Sequence, residues 1–298
     1  MMNYQKWLLK NTTSLLGKTV AVTGTTGGIG KALCRHLASL GASLVLVDRS
    51  KERSAAFASE LFAEYGREVL TVTVDLTDIS SVKDGAEILA QMPIDVFIHN
   101  AGAYSIPRKI LNTGYDNVYQ INFISPYYLI KKLLPTLKNR DGRVVIVGSI
   151  AHNYSKTDMT DVDFSTRKAA SKVYGNAKRY LMYATAALCE REGVKCAVTH
   201  PGISFTGITA HYPRLIYAII KYPMKIIFMK PKKASLSVVK GVFCNTGAGE
   251  WIGPRVFDIW GKPSKKPLRT AKGDEITRIS DTAERIFCEA EKLLVSLV

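Results

Sequence analysis

Residues 19–30 read T-V-A-V-T-G-T-T-G-G-I-G. A short β-branched run passes directly into glycines, and the glycines pass into an apolar pattern of helical spacing, Ile29–Ser39. A glycine turn in that place lets the backbone approach a pyrophosphate. The helix that follows offers uncapped N–H groups and the positive end of its dipole. The spacing is Gly24-x-x-x-Gly28-x-Gly30 rather than G-x-G-x-x-G. Any tight strand-to-helix turn can use glycine, so the cluster alone says little. Its position after a first strand and before an amphipathic helix points to dinucleotide binding, with Gly24, Thr26, Gly28, Ile29 and Gly30 as candidate contacts.

The same alternation continues outward. Strand-like runs occur at Thr19–Thr23, Ser43–Val47, Val69–Val74, Asp95–His99, Arg143–Val147 and Lys195–Thr199. A seventh lies at Val256–Trp260, within the strand-like stretch Trp251–Gly261. Helical patterns fill the gaps at Lys51–Tyr65, Val82–Gln91, Tyr115–Leu137 and Thr166–Glu192. The runs are almost wholly apolar, as strands buried on both faces should be. Strand–helix alternation predicts an α/β fold: one Rossmann-type doubly wound parallel sheet of about seven strands, helices on both faces, a single domain over residues 1–298. The interval 203–233 interrupts the alternation and reads as an insertion. Residues 274–298 have helical spacing and are expected to dock on the core.

At the end of the second run Asp48 lies eighteen residues past Gly30. A carboxylate there accepts hydrogen bonds from ribose hydroxyls and repels a 2′-phosphate. Arg49 beside it would instead pair with that phosphate, and a helix cap is the bland alternative for Asp48. The balance favours NAD(H), with NADP(H) as the other candidate.

Six further motifs follow in order, besides the glycine turn itself: V-D-L at 74–76, H-N-A-G at 99–102, Y-Q-I-N-F around Asn122, G-S-I at 148–150, Y-G-N-A-K at 174–178 and H-P-G at 200–202. Together they resemble the short-chain dehydrogenase/reductase family from about residue 17 to 203. Ser149 and Tyr174 are 25 residues apart, and S-I-A-H follows the fifth strand. Both features resemble the retinol-dehydrogenase-like branch, which acts on lipophilic alcohols. His99 stands where Asn is commoner, and Ala177 where Ser is commoner. The resemblance implies an oxidoreductase acting on hydroxyl or carbonyl groups. Ser149 would bind the substrate oxygen, Asn122 would hold a relay water within a long fourth helix, and Lys178 would bond the nicotinamide ribose. It also implies cofactor contacts from Asp75, Leu76, Asn100, Ala101, Gly102, Pro201, Gly202 and Ile203, and a homodimer or homotetramer.

Tyr174 and Lys178 are four residues apart, hence on one helix face. A phenol ordinarily titrates near pH 10 and an adjacent ammonium favours its ionised form. The pair is therefore expected to lower the phenol into the range where it exchanges protons with an alcohol. Taken alone, such a pair is more often packing and surface charge; beside the glycine turn and Ser149 it reads as catalytic.

Composition narrows the rest. The chain has 298 residues, 47% of them hydrophobic, which excludes disorder. Lys plus Arg is 41 against 25 acids, a net charge of +16. No helix-turn-helix or aromatic-basic motif accompanies the charge, so no nucleic-acid partner is expected. Five cysteines without C-x-x-C spacing predict no metal or disulfide framework, and a reducing cytoplasm; they read as small buried hydrophobes. Asp158, Asp161 and Asp163 read as a solvated loop rather than a metal site. Met1–Leu16 does not read as a signal peptide, and no run is long and apolar enough to span a bilayer.

From Arg214 to Lys233 there are six basic residues and no acid, mixed with Leu215, Ile216, Ile219, Ile220, Ile226, Ile227 and Phe228. Pro223 divides the run into two short helices. This lid would cover a lipophilic substrate, a steroid, retinoid or other lipid. Its basic face in 212–233 would touch an anionic membrane peripherally. Residues 262–272 are basic and loop-like. A non-catalytic dinucleotide sensor and a reductase of small soluble carbonyls are the competing functional readings.

Overall fold

A computed structural model describes residues 4–104, 106–154, 158, 160–161, 163–202, 229–247, 249–268, 288 and 291–292. Its strands are β1 (Thr19–Thr23), β2 (Ser43–Asp48), β3 (Val69–Thr73), β4 (Val96–His99), β5 (Arg143–Val147), β6 (Lys195–Thr199), β7 (Glu250–Val256) and β8 (Trp260–Pro267). They form one sheet in the order β3-β2-β1-β4-β5-β6-β7-β8. All neighbours are parallel except β7 and β8. The strand order reverses between β1 and β4, and the crevice beyond their carboxyl ends is where doubly wound sheets bind ligands.

Successive side chains leave a strand on opposite faces. Ala21, Val45, Val47, Phe97, Val144, Ile146 and Val198 enter one core, while Val20, Val22, Leu44, Leu46, Ile98, Val145 and Val147 enter the other. The first is covered by α4 (Ile79–Ala90), α6 (Ser125–Asn139) and α7 (Ala170–Glu192); the second by α2 (Gly28–Ser39), α3 (Lys51–Tyr65) and α8 (Pro231–Phe243). Each fully buried Val, Leu or Ile contributes about 1.5–3 kcal/mol, so both faces of the sheet are strongly held. At the amino ends of the strands Asp95 closes the sheet. Its carboxylate accepts from the Thr19 N–H at 2.9 Å and pairs with Lys18 at 3.1 Å and Arg140 at 3.2 Å.

Several expectations need correction. The seventh strand is Glu250–Val256, and the expected run Val256–Trp260 is instead the turn that follows it; residues 260–267 then turn back antiparallel on β7 as an eighth strand where a basic loop was expected. Lys and Pro dominate this edge, which protects it from further pairing. The expected helix Tyr115–Leu137 is three pieces: α5 (Asn117–Tyr119), a π turn (Gln120–Ile124) and α6. The expected helix from Thr166 begins at Ala170. A short helix α1 (Tyr4–Asn11) was not foreseen; its buried Trp7 and Leu8 join the second core. Only Cys34, Cys189 and Cys196 are buried; Cys244 is half-buried and Cys288 exposed.

The expected helices around Pro223 lie outside the described residues, as does most of the lid. Its last residues, Pro231–Lys233, form the first turn of α8. Most of the expected C-terminal helix also lies outside them. Glu291, which is helical, accepts from the Tyr127 hydroxyl at 2.8 Å and pairs with Lys131.

Candidate active site

The glycine turn is shaped by its own backbone. Gly24 takes φ +70°, a left-handed conformation, and a side chain there would stand 2.8 Å from the Ala101 Cα. At Gly30 an added Cβ would lie 2.1 Å from the Gly24 carbonyl oxygen. Gly27 precedes α2 and has no side chain with which to cap it. The first N–H groups of α2, at Gly28, Ile29 and Gly30, therefore have no intrahelical partner. They stand at the wall of a cleft of about 430 Å³, lined also by Thr26, Asp48, Arg49, Arg53, Asp75, Leu76, Asn100, Ala101 and Gly102. Unpartnered donors on a glycine cradle fit a pyrophosphate, so these residues would hold a dinucleotide.

Asp48 does not face the cleft as a free carboxylate. It is buried, and accepts from the Thr25 hydroxyl, from the Thr26 N–H at 3.2 Å and from the Thr26 hydroxyl at 3.2 Å. Its two oxygens thus clamp the glycine turn to the end of β2. Arg49 beside it is exposed, and Arg53 donates to the Thr26 carbonyl at 3.3 Å. Thr25 and Arg53 were not singled out from sequence; a pair of threonines inside a glycine turn, facing an acid at the next strand end, was the available signal. Asp75 accepts from the N–H and hydroxyl of Thr77 and lines the cleft, while Asp78 rather than Asp75 caps α4.

The loop 99–102 hangs from Thr23. Its hydroxyl oxygen accepts from the N–H groups of Asn100 at 3.0 Å and Ala101 at 2.9 Å, and lies 3.1 Å from His99 Nδ1. With both N–H groups donating to it, the Thr23 proton points to His99, whose Nδ1 then accepts. Burial, with the Lys178 charge nearby, holds His99 well below the usual histidine range, so the ring is neutral. This explains how histidine serves at a position where asparagine is commoner.

Asn122 lies in the π turn, a local widening frequent at functional sites. Its side chain donates to the carbonyls of Val118 and Ala103, both at 2.8 Å, and accepts from the Ala103 N–H at 3.2 Å. The loop thereby passes close beside the helix. A Cβ on Gly102 would stand 2.8 Å from Asn122 Oδ1 and 3.1 Å from Lys178 Nζ, so only glycine fits between them.

Ser149, Tyr174 and Lys178 line a second cavity of about 120 Å³, together with Val147, Gly148, Tyr104, His200, Pro201 and Gly202. It shares Ile29, Asn100 and Gly102 with the larger cleft, so the two adjoin. Ile203 lies outside the described residues. Lys178 is buried on α7; its ammonium donates to the Val147 carbonyl at 3.2 Å and stands 5.9 Å from the Tyr174 ring centre. Burial without an acidic partner lowers Lys178 to about 8. Burial likewise pushes Tyr174 up to about 12, against the hydrogen bond with Ser149 that lowers it. Desolvation thus outweighs the Ser149 hydrogen bond, and the phenol is raised where the spacing to Lys178 predicted a lowering.

Sequence reading missed the residues that brace this side. His152 Nδ1 lies 2.7 Å from the Ser149 carbonyl, and Arg179 donates to the His152 carbonyl. Trp251 on β7 meets the His152 ring edge-on at 5.4 Å and stacks on His200 at 4.9 Å. Tyr104 meets Tyr174 edge-on at 5.0 Å. The S-I-A-H text hinted at His152; nothing near Trp251 in sequence hinted at its partners. Asp158 and Asp161 pair with Arg167, and among the described residues no cluster could hold a metal ion.

The short chain dehydrogenase family model matches residues 18–214, which is most of the sheet and both cavities. The chain belongs to the short chain dehydrogenase family. Among its relatives, dehydrogenase/reductase SDR family member 13 of Bos taurus is 37% identical over 198 residues, covering 63% of this chain and 52% of that protein. The chain thus matches about half the length of that relative. Polyprenol dehydrogenase of Mus musculus is 27% identical over 277 residues, covering 88% of this chain and 81% of that protein. In fold, this short chain dehydrogenase is similar to the crystal structure of an uncharacterised protein of Mycobacterium paratuberculosis. The TM-score is 0.72 at 23% identity, covering 95% of this chain and 96% of that one. Among the described residues of the dehydrogenase, no helix is long and apolar enough to cross a membrane.

Proposed function

We propose that this short chain dehydrogenase interconverts a carbonyl and a hydroxyl group on a lipophilic substrate, with NADP(H) as cofactor and Tyr174 as general acid and base. The carrying observation is that Ser149, Tyr174 and Lys178 converge on one small cavity adjoining the glycine-turn cleft. When bound, the nicotinamide supplies or accepts the hydride. The residues of the chain manage the oxygen and the proton. Ser149 and Tyr174 together offer a carbonyl oxygen two hydrogen bonds, and the neutral phenol gives its proton as charge develops there. Lys178, at about 8, holds or releases a proton near neutral pH and can restore the phenol. Oxidation of an alcohol runs the same contacts in reverse.

The cofactor reading departs from the NAD(H) expectation because that expectation needs a free Asp48. Both its oxygens serve Thr25 and Thr26, and Arg49 and Arg53 are the basic groups that line the cleft. Two guanidinium groups favour a 2′-phosphate. A lipophilic substrate is supported by the aromatic wall of Tyr104 and by the similarity to polyprenol dehydrogenase along most of both chains. In this reading the segment 203–233 covers the substrate.

Fluorescence titration of the full chain should give tighter binding of NADPH than of NADH by about tenfold, the scale of one charge-assisted contact. With NADPH and a long-chain aldehyde, Tyr174→Phe should keep the nucleotide affinity and lose turnover by about 10²–10⁴-fold. Tighter binding of NADH would overturn the cofactor assignment, and undiminished turnover in the variant would overturn the catalytic one.

A further inference from the structure

The hairpin between β7 and β8 turns through two non-glycine residues in the left-handed region, Phe257 at φ 50° and Asp258 at φ 59°. Such residues adopt that conformation rarely and at a cost. The turn is anchored from beneath: Asp258 is only 4% exposed, with its carboxylate 2.6 Å from Lys266 Nζ. The acid of the turn is thereby drawn inside and its apolar members are left outside. Phe257 is 69% exposed, Val256 44% and Trp260 40%. Arg255 and Lys262 flank them and are exposed. The other acid of the hairpin, Glu250, pairs with Lys265 at the far end of the strands. The tip therefore shows apolar and aromatic surface with positive charge and no exposed acid.

Its place matters as much as its chemistry. A Cβ on Gly202 would stand 2.8 Å from the Ile259 carbonyl oxygen and 2.9 Å from the Pro254 ring, so the hairpin packs directly on Gly202. Gly202 in turn lines the cavity of Ser149 and Tyr174. The hairpin that carries the exposed tip thus adjoins the cavity of those groups through Gly202.

We propose that the β7–β8 tip is a docking wedge for an anionic lipid bilayer. Phe257 and Val256 enter the boundary between headgroups and acyl chains, Trp260 lies at headgroup level, and Arg255 and Lys262 meet lipid phosphates. Indole at headgroup depth and cations against anionic lipid are the ordinary terms of interfacial binding. Charge complementarity selects this occupant over a second copy of the chain, because two such tips would bring like charges together. The proposal gains its purpose from the lipophilic-substrate reading, but its test does not use catalysis.

The test is flotation of the full chain with phosphatidylcholine vesicles, with and without phosphatidylserine. The wild type should float with the anionic vesicles and not with the neutral ones. The double variant Phe257→Ser/Trp260→Ser should lose about tenfold in partitioning, and Arg255→Glu/Lys262→Glu should abolish the preference for anionic lipid. Unchanged melting temperature and unchanged NADPH affinity in both variants show that the fold and the nucleotide cleft are intact. No flotation of the wild type, or equal flotation of wild type and both variants, would overturn the proposal. So would dimerisation in sedimentation that Phe257→Ser abolishes, which would make the tip a contact between copies.

Discussion

The nucleotide half of the molecule and its substrate half are built differently. In the first, each turn is closed by backbone packing and by bonds to small polar side chains: Gly30 against Gly24, Thr25 and Thr26 on Asp48, Asn100 and Ala101 on Thr23. In the second, the reacting groups are aligned through large buried side chains. His152 braces Ser149, Trp251 packs against His152 and His200, and Lys178 reaches back to Val147. The difference teaches that the shape of the nucleotide turn follows from local sterics, while the geometry of proton transfer depends on long-range aromatic packing.

Trp251 offers the largest test of that contrast. It is 1% exposed and among the largest fully buried side chains. Trp251→Ala should cost about 3–5 kcal/mol, seen in thermal or denaturant unfolding. In the fraction that remains folded, NADPH affinity should be kept while turnover falls, because the indole braces Ser149 and not the glycine turn. Loss of nucleotide affinity in step with turnover would show that the two halves are not separable in this way.

Gly30→Ala is the reciprocal variant, expected to be somewhat milder. The added methyl would lie 2.1 Å from a backbone oxygen, with no flexible side chain to give way. We expect a loss of about 3 kcal/mol, at the upper end of overpacking, together with strongly weakened NADPH binding. A folded variant with normal nucleotide affinity would break the claim that close backbone packing shapes the turn.

The same contrast explains what could be read in advance. The apolar runs located the first six strands because burial on both faces leaves an unmistakable pattern, whereas the run Val256–Trp260 fell on the β7–β8 turn; motif order placed Ser149, Tyr174 and Lys178 in one cavity. Residues 260–267 were unreadable as a strand because an edge strand carries Lys and Pro in place of that pattern. The π turn at Asn122 has no composition of its own and is set by what the asparagine side chain bonds. At Asp48 the sequence shows a carboxylate but not that Thr25 and Thr26 bond it. The rise of the phenol at Tyr174 was hidden for a related reason: spacing reveals the neighbouring charge, but only the fold reveals the burial around it.

The smallest effect concerns the seam where the two halves meet at the amino ends of the strands. Asp95 precedes β4, bonds the first residue of β1, and pairs with Arg140 just before β5. Burial pushes its carboxyl up, but the Thr19 N–H, Lys18 and Arg140 outweigh burial and hold it below the usual range. A carboxyl depressed in the folded state contributes stability that is present above its unfolded value, near pH 4, and is lost as pH falls through the folded one. Asp95→Asn should therefore cost about 1–2 kcal/mol at pH 7 in denaturant unfolding, a figure kept small because Lys18 and Arg140 are partly exposed and solvent-screened. The gap between wild type and variant should narrow as pH is lowered below 4, because protonation removes from the wild type the charge that the substitution has already removed. A constant gap across that range would mean that Asp95 acts through shape alone, and the two halves would then be joined by packing without an electrostatic clasp.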